Sequence, residues 1–197
     1  TPLAATSFFP PKPLGCYGDG GAVFTDGRKI ADTIKSIRIH GQGQDKYDNV
    51  RLGLNARMDS IQAAILIEKL KFFESEIEMR HRVATLYTEA LQDHVAVPRV
   101  ADDNTSVWAQ YSVTSEHRDQ IREALNNKGI PTATYYPIPI HLSTAYAHLG
   151  HQVGDFPVSE GLSRTMFSLP MHPYLEQQQI EAICDTISST VSRLNHG

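Results

Sequence analysis

The sequence predicts an α/β chain: the closing part of a larger α/β domain, a long linking helix, and a small α+β domain at the C-terminal end. Three observations carry that expectation. Two short apolar runs near residues 6–9 and 21–25 are followed by a helical pattern over 28–38. Met58, Ile61, Ile65, Leu66, Leu70, Phe73 and Ile77 then form a stripe at helical spacing. After residue 100 the order reads strand, helix, strand, strand, helix. The expected division assigns residues 1–94, long helix included, to the larger domain and 95–197 to the small one.

The first run, over 6–9, is stopped by Pro10 as a strand end would be. The second, G-A-V-F-T over 21–25, enters from glycine and leaves through the turn signal Asp26-Gly27. Ile30, Ile34 and Ile37 then mark one face of a helix over 28–38. From 40 to 54 the chain is polar and glycine-punctuated, which predicts a mobile loop rather than an element. Asn55 is a good N-cap residue for the helix that follows, and the pattern continues to about Leu91 with a bend or break. Residues 95–106 read as a linker and V-W-A-Q-Y-S-V over 107–113 as an alternating strand. A helix over 117–127 closes on Lys128-Gly129, a C-cap signal. A strand over 132–135, ended by Pro137-Ile138-Pro139, precedes a short helix over 156–164 and a short strand over 167–169. The last helix carries Ile180, Ile183, Cys184, Ile187 and Val191 on one face.

Composition excludes several classes. With 41% hydrophobic residues over 197 positions there is enough apolar material for a real core. A net charge of -4 gives no nucleic-acid footprint. The paired basic residues Arg28 with Lys29, Lys69 with Lys71, and Arg80 with Arg82 read as solvated helix faces. Two cysteines without a C-x-x-C pair argue against a disulfide scaffold or a zinc ribbon. No run approaches the roughly 20 apolar residues of a membrane helix, and no signal peptide is recognisable, so a cytoplasmic protein is expected. Two short strands cannot make an independent α/β sheet. Residues 1–54 are therefore expected to be the last part of a larger domain, either disordered or with an exposed apolar face covered by another copy.

Lys12 is the residue that raises a chemical question. Prolines on both sides stiffen its backbone, and Phe8, Phe9 and Leu14 supply apolar surroundings. A lysine desolvated in that way becomes an amine nucleophile suited to a Schiff base. The glycines at 15, 18, 20 and 21 let the backbone approach a flat ligand closely. The alternative is a proline-rich surface turn running into a glycine-rich hairpin, and local physics alone favours it. G-C-Y-G-D-G-G is neither a dinucleotide fingerprint nor a P-loop, and no G-x-S-x-G elbow is present. His141, His148 and His151 lie near one another without a metal-ligand pattern, which leaves surface or packing roles.

Four motifs in order change the balance. S-F-F-P-P-K-P-L-G-C-Y-G-D-G-G over 7–21 resembles the Schiff-base segment of the DegT/StrS-type nucleotide-sugar aminotransferases, fold-type-I enzymes that use pyridoxal phosphate. The resemblance continues through R-I-H-G-Q over 38–42 with L-G-L-N-A-R-M-D-S-I-Q-A-A-I-L over 52–66. It returns in Y-Y-P-I-P-I-H over 135–141 and S-L-P-M-H-P-Y-L over 168–175. Within the family the likeness is strongest to members that aminate UDP-2-acetamido-2-deoxy-3-oxo-glucuronate, with glutamate as donor, in surface polysaccharide synthesis.

The resemblance implies roles residue by residue. Lys12 would be the Schiff-base lysine, which also moves protons, and Ser7 would hydrogen-bond the cofactor phosphate. Asn55 would reach the phosphate of a neighbouring subunit's cofactor, which makes a homodimer the expected partner state. Arg57 would bind the nucleotide-sugar substrate, its guanidinium suiting a carboxylate or diphosphate, and Tyr136 would lie on the substrate side. Tyr135 replaces the first histidine of the family's H-Y-P-I-P and is carried here with the substrate residues. No segment matches the family's N-terminal half, which holds the phosphate cradle, the stacking aromatic and the aspartate facing the ring nitrogen. The polypeptide is therefore expected not to transaminate alone. The competing expectation is a catalytically dead remnant that serves as a packing or interaction module.

Overall fold

The computed structural model describes residues 2–196, which form two compact units divided between Glu74 and Ser75. The first unit opens with β1 (Ala4–Ser7) and β2 (Gly21–Phe24), an antiparallel pair with Ser7 opposite Gly21 and Ala4 opposite Phe24. β1 lies two residues earlier than its apolar run suggests. Phe8 N–H still donates to Gly20 O, but the Phe8 carbonyl is taken by Cys16 N–H, so regular pairing ends at Ser7. Every residue of β1 is exposed, as are Val23 and Phe24 of β2.

After α1 (Arg28–Ile37) the glycine-punctuated stretch forms no helix or strand, but it is tied at both ends. Leu54 N–H donates to Ile37 O at 2.7 Å and His40 N–H to Leu54 O at 2.9 Å. A Cβ on Gly53 would overlap the backbone at His40 and Gly41, so the two limbs of the loop touch only because that residue is glycine. Asn55 pairs with Ile39 in an isolated antiparallel bridge and is not a helix cap. The N-cap position belongs to Asp59, four residues on, at φ -68° and ψ 142°.

The long apolar stripe is divided between two helices, α2 (Ser60–Leu70) and α3 (Phe73–Leu91). At the break Lys71 N–H bonds Glu68 O and Phe72 N–H bonds Lys69 O, three-residue spacings that tighten the last turn. The boundary between the units falls at the start of α3.

The second unit holds the main core. β3 (Tyr111–Thr114) and β4 (Met166–Leu169) pair antiparallel, with Tyr111 opposite Leu169 and Val113 opposite Phe167, all four buried. Against them pack Val83, Tyr87 and Leu91 of α3, Ile121 and Leu125 of α4 (Arg118–Asn127), and Ile180, Ile183 and Ile187 of α6 (Gln177–Asn195). Each large side chain buried this way contributes about 1.5–3 kcal/mol of transfer free energy. α4 closes at Gly129 with φ +71°, the left-handed residue its C-cap signal predicts.

Three expectations are corrected here. Only the second half of the run over 107–113 is a strand. Trp108 takes φ +47°, and its indole N–H donates to His81 Nδ1 at 3.0 Å, which draws the chain out of extended conformation. The run over 132–135 contributes a single bridge, Ala133 with Ser168. The linker over 95–106 contains a bridge of its own, Ala96 with Thr114. Between Pro139 and α5 (Pro157–Thr165) the chain makes two unpredicted 3-10 turns, Ile140–Leu142 and Thr144–Leu149. Among the described residues no helix is long and apolar enough to cross a membrane.

Candidate active site

The connection from β1 to β2 takes its shape from its prolines and glycines. Lys12 N–H turns back onto Phe9 O at 2.8 Å, closing a tight turn among Pro10, Pro11 and Pro13. A Cβ on Gly15 would overlap the Pro10 carbonyl oxygen, so only glycine lets the chain fold back beside its own turn. Cys16 N–H then donates to Phe8 O, and Phe8 N–H to Gly20 O, each at 2.8 Å. The buried Cys16 thiol lies 3.0 Å from Phe8 O and 2.9 Å from Gly18 O.

Lys12 stands exposed on this connection, and its ε-amine has no hydrogen bond or ion pair among the described residues. Ser7, at the end of β1, accepts the Phe9 N–H on its hydroxyl oxygen at 3.2 Å. That leaves the Ser7 O–H available as a donor. Ser7 and Lys12 thus share one connection.

α2 braces the other side of the connection. Lys69 Nζ donates to Gly15 O at 2.6 Å and lies 6.0 Å from the centre of the Tyr17 ring. Gln62 Oε1 accepts the Tyr17 N–H at 2.8 Å. The expectation of a solvated face holds for Lys71, which pairs with Glu68 at 2.6 Å on the exposed side, and fails for Lys69. Arg80 also departs from it. That residue is only 8% exposed, and its guanidinium donates to Trp108 O at 3.0 Å and Met171 O at 3.3 Å. The spacing of Gln62 and Lys69, seven residues and two helical turns, was the signal in the sequence that they share a face.

Asn55 and Arg57 make a second, exposed group, in which Arg57 Nε donates to Asn55 Oδ1 at 3.2 Å. No hydrogen bond among the described residues joins this pair to Ser7 or Lys12.

Tyr135 and Tyr136 belong to the second unit, and both are exposed. Tyr136 borders an apolar groove of about 710 Å³ walled by Ile138, Ile140, Phe156, Val158 and Leu162. Glu160 lies in the first turn of α5, the helix whose Val158 and Leu162 help to wall that groove. Its carboxylate accepts Gly154 N–H at 2.8 Å, Phe156 N–H at 3.3 Å, and approaches His141 Nε2 at 3.1 Å. The Gly154 bond first, then the Phe156 and His141 contacts, hold the Glu160 carboxyl below its ordinary range against the opposing effect of burial. His141 packs on Phe156 with ring centres 4.7 Å apart while its ring nitrogen meets Glu160, so it is both packed and paired. Among the described residues no cluster of His, Cys, Asp and Glu could hold a metal ion.

The architecture around these residues is shared with sugar aminotransferases of known structure. A crystal structure of a DegT DnrJ EryC1 StrS aminotransferase from Brucella abortus superposes with a TM-score of 0.91 at 50% identity, over 100% of this chain and 51% of that one. S. venezuelae DesV, in complex with a ketimine intermediate, superposes at 0.92 with 37% identity, over 97% of this chain and 52% of its own. The fold is that of the fold-type-I aminotransferases, as the sequence predicts. The DegT/DnrJ/EryC1/StrS aminotransferase family matches residues 2–188, and the chain belongs to that family. It is 43% identical to the UDP-2-acetamido-2-deoxy-3-oxo-D-glucuronate aminotransferase of Pseudomonas aeruginosa over 188 residues, 95% of this chain and 51% of that protein. The chain spans about half the length of the curated relatives it matches.

Proposed function

We propose that the chain is the C-terminal portion of a pyridoxal-phosphate-dependent aminotransferase acting on a keto nucleotide sugar. The observation that carries this reading is Lys12. Its ε-amine has no partner among the described residues, and it rises from a connection braced by Gly15, Cys16 and α2. The residues of the first unit suit the cofactor: an available amine for its aldehyde, and a Ser7 hydroxyl with its proton unspent for its phosphate.

When bound, pyridoxal phosphate supplies an electron sink for charge developing at the donor's α-carbon. Lys12 would hold the cofactor through its ε-amine and would serve to carry the proton at that carbon. Ser7 donates to the phosphate, and Asn55 reaches the phosphate of a second subunit in a homodimer. Arg57 places a guanidinium for a carboxylate or diphosphate, and Tyr135 and Tyr136 line the sugar side. The likeness to the Pseudomonas aeruginosa enzyme supports a UDP-linked 3-oxo-glucuronate substrate, with which Arg57 is compatible. Glutamate as donor and surface polysaccharide as destination extend the same likeness. Location in the cytoplasm accords with this reading.

The test is chemical trapping. The chain is incubated with pyridoxal phosphate, reduced with borohydride and digested, and the expected pyridoxyl label lies on the Lys12 peptide and vanishes in Lys12→Ala. Equal labelling of other lysines with none on Lys12 overturns the reading in favour of a catalytically inactive interaction module. As half the length of its relatives, the chain is expected to show no half-reaction with an amino donor, and turnover at the rate of a full-length relative overturns that part.

A further inference from the structure

The geometry points to Lys69 and Gln62 of α2 as positioning residues for Lys12: a two-point clamp that fixes the height and direction of the Lys12 connection. The inference rests on the reading of Lys12 as the cofactor lysine.

The connection is anchored internally through Phe8, Phe9, Cys16, Gly18 and Gly20. Its bend, Gly15 to Gly18, is the part that leaves the strand pair, and both external bonds fall there. Lys69 Nζ bonds Gly15 O at 2.6 Å, and Gln62 Oε1 takes Tyr17 N–H at 2.8 Å. The first of these bonds is charge-assisted and short, the strong kind. Lys69 is half-buried, with its ammonium also near the Tyr17 ring face. Gly18 fits closely under Gln62, since a Cβ there would come within 3.2 Å of Gln62 Nε2. Gly15 is three residues from Lys12 and its amide plane is held by Lys69, so loosening that carbonyl frees the turn that carries the amine. A lysine that must first hold a ring and then return a proton to one carbon depends on such placement, because misplacement of a reacting group by about 1 Å can cost on the order of a hundredfold.

Cys16 reports on the clamp independently of any chemistry at Lys12. It is buried between Phe8 and Gly18, directly next to Gly15, and Cys184 in the second unit serves as internal reference. The full chain is compared as wild type, Lys69→Met, Lys69→Arg and Gln62→Leu. Two readouts are taken: the labelling rate of Cys16 relative to Cys184 with a thiol reagent, and borohydride trapping of pyridoxal phosphate on the Lys12 peptide. Lys69→Met is expected to raise relative Cys16 labelling by about tenfold, the worth of one charge-assisted hydrogen bond. It is also expected to lower Lys12 trapping several-fold. Gln62→Leu is expected to act in the same direction by a smaller factor, and Lys69→Arg to restore both readouts. Relative labelling within twofold of wild type in both Lys69→Met and Gln62→Leu overturns the clamp. If Lys69→Met unfolds the chain or its first unit, seen as a loss of helical circular-dichroism signal, Gln62→Leu then decides alone. Accelerated Cys16 labelling with no trapping in any variant supports the clamp as a brace of the connection and overturns the reading of Lys12.

Discussion

Gly15 shows how much of this protein depends on single backbone positions. Its Cβ direction points at the Pro10 and Phe9 carbonyl oxygens, which are backbone atoms and cannot swing aside. Gly15→Ala therefore forces the Lys12 turn to move, and a stability loss of about 1–3 kcal/mol in the first unit is expected, read as faster thiol labelling of Cys16. Gly161 makes the contrast. It lies inside α5 with nothing within 4 Å of a Cβ, so Gly161→Ala is expected to stabilise the second unit by about 0.5–1 kcal/mol in urea titration. Glu160 supplies a residue-scale pH dependence. Its carboxyl is held below the usual glutamate range in the folded state, chiefly by the Gly154 N–H. The folded state thus favours the ionised form, and this contribution is present above the unfolded-state pKa of about 4.3 and is lost as pH falls through the lower folded value. Glu160→Gln is expected to flatten the stability–pH curve on that acid side. An unchanged acid limb would show that the Gly154 contact contributes nothing.

At the scale of elements, periodicity succeeded where burial was local and failed where long-range contacts intervened. α1, α4 and α5 lie within one or two residues of their expected ranges and α6 carries its expected apolar face; in α4 and α6 that face is buried in the core of the second unit. The stripe through Ile77 could not reveal the break at Lys71, since apolar spacing continues across it while the backbone tightens. The alternation over 107–113 overran the strand because Trp108 is drawn to His81 on α3, a partner 27 residues away. Leu91 belongs to the successful kind: fully buried at the end of α3 among Tyr87, Val95 and the α6 side chains. Leu91→Ala is expected to cost the second unit about 2–5 kcal/mol, measured as a lowered urea midpoint. A cost below 1 kcal/mol would mean that the end of α3 is not part of that core.

For the molecule as a whole, the chain falls into two compact units: Ser7, Lys12, Asn55 and Arg57 belong to the first, and Tyr135 and Tyr136 to the second. The first unit also leaves large apolar side chains open, Leu52 at 97% and Ile61 at 72% exposure among them. The sequence by itself determined the alternation of short strands and helices, the stiff proline turn that presents Lys12, the glycines around it and the family to which the chain belongs. These are properties of local backbone chemistry and of ordered motifs, and neither needs a distant partner to be read. Only the tertiary structure decided that Asn55 bridges Ile39 instead of capping a helix and that Arg80 is buried against Trp108 and Met171. It also decided that Lys69 grips Gly15 across 54 residues of chain. Polar groups such as these take whichever partner the fold delivers, and a one-dimensional pattern holds no distance between residues far apart in sequence.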